Sequence, residues 1–359
     1  MILSATHLNI NLELKNKLLH SSLGFQIRNK ENYNKPGTGV VPALPNYIYQ
    51  EESIYTHHTI SLNQWLLNAG LRYDWTLLNA QGVNFLGQKY GGNNNYSAVS
   101  SQVAAKFSTD HWDFNSSLSY GWRIPESYEL YANGKQHGIP IYYVGNKDMS
   151  PEKGLKWMNT IGFKVKNSTF ELQGFINNIK NYIYAVPSHE YKQLFSGPAA
   201  IFQFKQRDAL LCGIDLIHSS FISPKLEFKN RISWIDGKEI ESKSPLPNIS
   251  PLRVNNHLIY QFPAFDKFED SSIQVGHEWV GKKTSFNPDY ELSSQTPSAY
   301  HVVNMAISTR QSINQSLGVR MTASVDNLFN TLYKDYLNLH RYFVHDSGRS
   351  INVNVQFNF

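Results

Sequence analysis

The sequence predicts an all-β fold: an antiparallel transmembrane β-barrel, present in part. Three observations predict it. Apolar and polar residues alternate with period two in segments of roughly nine to twelve residues, the length that carries a tilted strand across a bilayer. The connections between these segments alternate between short and long. The composition is aromatic and poor in charge: of 359 residues, 41% are hydrophobic and 17% charged, and Phe 20, Tyr 21 and Trp 7 make up 13%. A disordered chain lacks those aromatics. No apolar run reaches the ~18 residues of a membrane helix.

Taken in order, about fifteen strands are expected near 5–14, 17–27, 52–62, 65–77, 96–108, 112–124, 155–166, 169–185, 200–221, 225–236, 252–262, 271–282, 299–310, 317–333 and 349–359. In the fourth, Trp65, Leu67, Ala69, Leu71, Tyr73 and Trp75 oppose Asn68, Gly70, Arg72, Asp74 and Thr76. In the sixth, Trp112, Phe114, Leu118, Tyr120 and Trp122 oppose Asp113, Asn115, Ser117, Ser119 and Arg123. The segment 200–221 is too long for one regular strand and calls for a bulge or break. The last strand is the clearest: Ile351, Val353, Val355, Phe357 and Phe359 alternate with Asn352, Asn354, Gln356 and Asn358. Short turns fall at 15–16, 63–64, 109–111, 167–168, 223–224, 264–270 and 311–316. Long loops fall at 29–51, 78–95, 125–154, 187–199, 237–251, 283–298 and 334–348.

Short turns at one end and long loops at the other are the asymmetry of an outer-membrane barrel. A soluble sandwich or propeller, the alternative, has no reason to alternate so strictly. The barrel reading sets the faces. Val303, Ile307, Val353, Val355 and Phe357 point outward to lipid; Arg72, Arg123, Arg320 and Asn354 point inward, with Asp74, Lys229, Arg231 and Arg253 on the same polar face. Trp65, Trp75, Trp112, Trp122 and Trp279 lie near strand ends, where an interfacial girdle belongs. The short turns are then periplasmic and the long loops external.

The net charge of +5 comes without a Lys/Arg cluster, so no nucleic-acid partner is expected. Cys212 is the one cysteine and makes neither an internal disulfide nor a thiolate zinc cluster. No nucleophile–base pair, phosphate loop or paired catalytic carboxylates stand in a credible context, so the chain is not read as an enzyme. The first residues lack the basic and apolar regions of a signal peptide. Fifteen strands is an odd number, against the even count of bacterial single-chain barrels. Residues 1–359 are therefore expected to be the C-terminal portion of a longer barrel, with signal peptide and first strands missing and with unpaired edges at its first and last strands.

Several motifs carry a resemblance. Arg123 and Pro125 are followed by Glu129-Leu130-Tyr131, by Asn133-Gly134 with His137, and by Gly145-Asn146 ahead of Pro151-Glu152-Lys153. A Pro-rich stretch at 245–253 leads into a strand. Val325-Asp326-Asn327-Leu328-Phe329 opens a segment running to Tyr333, and Phe357 and Phe359 end the chain in an aromatic signal. In this order the motifs resemble the barrel of TonB-dependent outer-membrane receptors from about residue 65 onward. The resemblance implies a barrel of about 22 strands blocked by an N-terminal plug, of which about 15 strands are present and the plug and TonB-contacting segment are not. It implies an outer-membrane location and lipid contact. The implied partners are the TonB complex acting through the missing plug, the barrel assembly machinery reading Phe357 and Phe359, and a metal-chelate ligand. No resident cofactor is implied.

The ligand expected from the family is a ferric siderophore, with haem, zinc or a passive channel as alternatives. Imidazole and phenol ligate iron, which singles out His137 as the candidate metal ligand, with Tyr131, Tyr142 and Tyr143 near it in sequence. Haem receptors carry a Phe-Arg-Ala-Pro box and an Asn-Pro-Asn-Leu box around a ligand His. Here the two stretches read Trp122-Arg123-Ile124-Pro125 and Asn146-Lys147-Asp148-Met149, which departs from both. Arg123, at the external end of its strand, suits catecholate or carboxylate groups; the plainer reading is an ion pair with a neighbouring carboxylate. His57 and His58 face opposite ways and do not chelate together. His277 falls on the apolar face as an interfacial residue, and His189, His340 and His345 lie in separate long loops.

Overall fold

The computed structural model describes residues 2–35, 42–83, 87–265, 267–313 and 317–358. Its strands are β1 (Ile2–Lys15), β2 (Leu19–Tyr33), β3 (Asn46–Leu62), β4 (Trp65–Val83), β5 (Lys89–Ser108), β6 (Trp112–Arg123), β7 (Asn133–Lys135), β8 (Ile141–Val144) and β9 (Glu152–Val165). They continue as β10 (Ser168–Leu194), β11 (Gly197–Ser223), β12 (Leu226–Glu239), β13 (Arg253–Gln261), β14 (Phe268–Val280), β15 (Tyr300–Ser312), β16 (Gly318–Asp326) and β17 (Ser350–Asn358). A short helix α1 (Ser127–Tyr131) precedes β7.

Fifteen of these strands form one antiparallel meander in which each pairs with the next along the chain. β6 pairs directly with β9; the loop between them adds the β7–β8 hairpin, and β8 runs parallel to β11. Among the described residues β1 pairs only with β2 and β17 only with β16, so the sheet is an open wall, a partial barrel.

The two faces follow the alternation. Ile307, Ala323 and Val353 are register partners on one face, and Ser308, Thr322 and Asn354 on the other. Trp75, Leu71, Val103, Val353 and Phe357 each leave roughly half or more of their surface uncovered. Apolar exposure on this scale does not suit water and does suit lipid. At the short-turn end the rings of Trp65 and Phe107 lie 4.8 Å apart and those of Trp112 and Phe163 4.5 Å apart, an aromatic girdle. Two-residue turns are made possible by left-handed backbone, as at Asn63 (φ 50°).

Three stretches differ from the sequence expectation. β10 and β11 are 27 residues each and pair across 187–199, where a loop was expected. The polar run at 188–193 hides the alternation, and register shifts at Asn181 and His189, both left-handed, absorb the irregularities. Strands β3, β4 and β5 also reach farther into the expected loops at 29–51 and 78–95. β16 stops at Asp326, short of 333, because Asn327 is left-handed (φ 50°) and its side chain bonds both N–H and C=O of Thr331. Phe359 lies outside the described residues; Phe357 is exposed on the apolar face of β17.

The packed core is not inside the wall but at its long-loop end. Ala132, Ile139, Ile141, Tyr143, Ala200 and Phe202 form one cluster beneath the 125–151 loop and the tall β10–β11 hairpin. Burying a side chain such as Ile141, which is wholly covered, contributes about 1.5–3 kcal/mol. The long loops are thus a folded cap rather than loose connections.

Candidate functional site

Below this cap the polar face opens into a cavity of about 650 Å³, lined among others by Arg28, Tyr47, Tyr49, Glu51, Arg72, Asp74, Trp122, Arg123 and Tyr128. β2, β3 and β4 present Arg28, Glu51, Arg72 and Asp74 because these residues share the inward parity of their strands. Arg72 is the hub. Its guanidinium donates to Asp74 at 2.5 Å, Gln26 at 2.7 Å, Ser53 at 2.6 Å and Glu51 at 3.1 Å. Arg28 reaches Glu51 at 3.5 Å. Lys30, also on the lining, lies over the Tyr49 ring at 5.3 Å.

Arg123 sits at the cavity edge, opposite Glu152. Its guanidinium donates to Glu129 at 2.7 Å and to Glu152 at 2.8 Å, tying the end of β6 to α1 and β9. The carboxylate pairing weighed against anion binding is therefore present. Trp122 departs from the expected girdle. Above Tyr120 the ladder between β5 and β6 has ended, and the Trp122 indole turns inward to donate to Asp74 at 3.0 Å.

The other sequence candidates separate into two groups. Tyr131, Tyr142 and Tyr143 are buried in the cap. The Tyr131 hydroxyl accepts from Asn94 at 2.6 Å, and that of Tyr142 donates to Asn133 at 2.6 Å. Tyr143 packs against Tyr128, Phe202 and Phe204 at 5.2, 5.8 and 5.7 Å between ring centres. Burial pushes its phenol above the ordinary tyrosine value, so the ring holds its proton at neutral pH. His137 is exposed at the tip between β7 and β8, beside the left-handed Gly138. Among the described residues no three His, Cys, Asp or Glu side chains converge as a metal site.

Sequence reasoning placed Arg72 and Asp74 on this face but did not find Arg28, Tyr47, Tyr49 or Glu51. The signal was present in Tyr47, Tyr49 and Glu51 alternating with Ile48, Gln50 and Glu52. It was masked because amphipathic residues stand on both faces there.

The cap itself is cross-tied by carboxylates, of which Glu239 and Glu291 are buried and Asp335 partly buried. Glu239 accepts from the hydroxyls of Tyr184 at 2.5 Å and Tyr290 at 2.6 Å. Glu291, the next residue after Tyr290, accepts from Tyr336 at 2.6 Å and Arg341 at 2.8 Å, and also from Tyr342. Asp335 accepts from Tyr300 at 2.7 Å and Arg253 at 2.5 Å. Burial pushes the Asp335 carboxyl up, but the Tyr300 and Arg253 donors outweigh it and hold it below the usual carboxylate range.

Comparison with known proteins fits this architecture. The family model for TonB dependent receptor-like β-barrels matches residues 4–328. No curated protein matches the chain in sequence. Among solved structures, the copper transporter OprC is similar, with a TM-score of 0.75 and 16% identity over 99% of this chain and 57% of that one. The FrpB iron transporter from Neisseria meningitidis (F3-3 variant) gives 0.69 and 15%, over 99% and 55%. The siderophore receptor PirA from Acinetobacter baumannii gives 0.65 and 15%, over 99% and 55%. At these identities the likeness is one of fold, and the chain spans a little over half the length of these structures. With the family model covering most of the chain and the open antiparallel wall beneath a folded cap, this protein belongs to the TonB-dependent receptor β-barrel family.

Proposed function

We propose that the chain is the C-terminal barrel portion of an outer-membrane receptor that imports a metal chelate, a ferric siderophore ahead of haem, with energy from the TonB complex acting through a plug. The observation that carries this is the cavity of about 650 Å³ beneath the cap, a volume within the range of small-ligand sites. Its wall combines the guanidinium groups of Arg28, Arg72 and Arg123 with the rings of Tyr47, Tyr49, Trp122 and Tyr128. Guanidinium suits anionic carboxylate and catecholate groups, and aromatic walls suit the apolar parts of a chelate. Similar solved structures are described as transporters of copper and iron and as a siderophore receptor, which supports a metal-bearing cargo. His137 and Arg123 belong to the proposed mouth, with the tyrosines at 131, 142 and 143 framing it from the cap. Lipid contact and delivery by the barrel assembly machinery through Phe357 and Phe359 complete the reading.

The test is uptake by the full-length receptor in a TonB-competent, iron-limited strain lacking its own siderophore receptors. Ferric siderophore uptake should require TonB. It should fall about tenfold in Arg28→Ala, whose partly exposed guanidinium pairs with Glu51 at 3.5 Å, and only partly in His137→Ala. Complete loss of haem-dependent growth in His137→Ala with siderophore use untouched would make haem the ligand. Uptake independent of TonB would make the protein a passive channel.

A further inference from the structure

On the apolar face, at the long-loop end, β14 and β15 bring two imidazoles together. His277 opposes Val303, and Trp279 opposes His301, so the histidines are diagonal neighbours across the ladder. His277 Nε2 and His301 Nδ1 lie 3.0 Å apart, with ring centres 5.2 Å apart. His301 is exposed, one residue inside the start of β15, beside the Trp279 ring at 6.5 Å. The pair therefore sits at the rim of the apolar band, where water and lipid head groups meet it, and not in the cavity beneath the cap.

A hydrogen-bonded row leads to this pair. Asn230 Nδ2 donates to Asn256 Oδ1 at 2.7 Å, and Asn256 Nδ2 approaches His277 Nδ1 at 3.3 Å. With Asn256 donating, the ring proton of His277 sits on Nε2 and is given to His301 Nδ1. Outward polar side chains are unfavourable on a lipid-facing wall. A connected row of them on four adjacent strands, β12 to β15, ending in two imidazoles, calls for a reason beyond packing.

We propose that His277 and His301 form a two-imidazole site for a divalent transition-metal ion such as Zn²⁺. A tetrahedral ion with metal–nitrogen bonds of about 2.0–2.1 Å places two ligand nitrogens roughly 3.3 Å apart. The observed pair needs to open by only a few tenths of an ångström, with rotation of exposed rings. The metal takes the lone pairs of His277 Nε2 and His301 Nδ1. The proton leaving His277 Nε2 is replaced on Nδ1, which then donates to the Asn256 side-chain carbonyl once that amide turns over, with the Asn230 amide turning in step to accept from Asn256 Nδ2. Each ring stays uncharged, and Asn256 becomes the outer partner that orients a ligating histidine. The remaining positions on the ion face solvent and are filled by water or head-group oxygens. Imidazole donors select borderline ions such as Zn²⁺, Ni²⁺ and Cu²⁺ over Mg²⁺ and Ca²⁺.

The test is calorimetric titration of Zn²⁺ into the protein in detergent micelles, with electron paramagnetic resonance of bound Cu²⁺ in parallel. One Zn²⁺ per chain should bind through this pair. His277→Gln and His301→Gln should each weaken it at least tenfold. His111→Gln, in a short turn at the opposite end, should leave it unchanged. The Cu²⁺ spectrum should show nitrogen coupling from two imidazoles, reduced to one in either variant. His301→Cys should restore Zn²⁺ binding, which a folding defect would not do. Zn²⁺ affinity unchanged in His301→Gln, or no binding by the unaltered protein beyond that of the His277→Gln/His301→Gln double variant, overturns the proposal.

Discussion

The Glu291 carboxylate and the Arg341 guanidinium meet at 2.8 Å with side-chain exposures of only 4% and 3%. Both belong to long loops, where such burial is unusual. Glu291 also takes the Tyr336 and Tyr342 hydroxyls, and its neighbour Tyr290 reaches Glu239. Adjacent residues of one loop thus hold the two loops on either side.

Removing one partner of a buried ion pair leaves the other charge uncompensated, at a cost of about 3–5 kcal/mol. Glu291→Ala should release the 283–298 and 334–348 loops together. Hydrogen exchange in both loops should rise by two or more orders of magnitude while β12 and β13 stay protected. Release of one loop alone would show that the tie is not shared.

The Asp335 carboxyl is held below its ordinary value in the folded protein. A group with a depressed folded pKa contributes stability above its unfolded value, about 3.9 for Asp, and loses it as pH falls through the folded value. The 334–348 loop should therefore stay closed over Arg253 at neutral pH and open progressively below about pH 4. Protease cleavage in that loop, compared at pH 7 with a neutral protease and at pH 3 with an acid-active one, reads this. Asp335→Asn should be cleaved readily at both.

Gly145 receives the Leu130 backbone so closely that an added Cβ would lie 2.5 Å from its carbonyl carbon. Gly145→Ala should cost about 1–3 kcal/mol or more by overpacking and loosen the 125–151 loop. Gly121→Ala, where an added Cβ meets nothing within 4 Å, should change stability by less than about 0.5 kcal/mol. Denaturant unfolding in detergent compares the two.

Trp122 and Trp279 look alike in sequence but should respond differently to replacement by Phe. Trp122→Phe leaves an Asp74 oxygen without its indole donor, a loss of about 1–3 kcal/mol. Trp279→Phe keeps an aromatic ring at the interface and should be nearly neutral. Equal effects would place the Trp122 indole outside the cavity.

The strands were legible because period two survives along most of them, and a lipid-facing wall favours apolar residues at most outward positions between Trp65 and Phe357. The loop ends were not. At 188–193 polar residues occupy both faces of a hairpin that stands clear of lipid, so nothing in the pattern marks it as strand. Asn327 ends β16 through its own side chain, a local bond that no alternation reports. The site was half legible. Arg72, Asp74 and Arg123 carry their inward parity in the sequence. The pairing of Arg123 with Glu129 and Glu152, the turning of Trp122 and the burial of Tyr131, Tyr142 and Tyr143 depend on contacts between elements far apart in the chain.

The β10–β11 hairpin has a consequence for reach. Twenty-seven residues at about 3.3 Å each give a ribbon roughly 90 Å long, whereas a tilted strand needs only about 9–11 residues to cross the hydrocarbon. More than half of the ribbon is left over, stiffened by β8 along its side and ending in an uncovered Phe195. It is a mast: in a membrane it stands above the wall that carries it. Anything arriving from that side meets its tip before it meets the cavity.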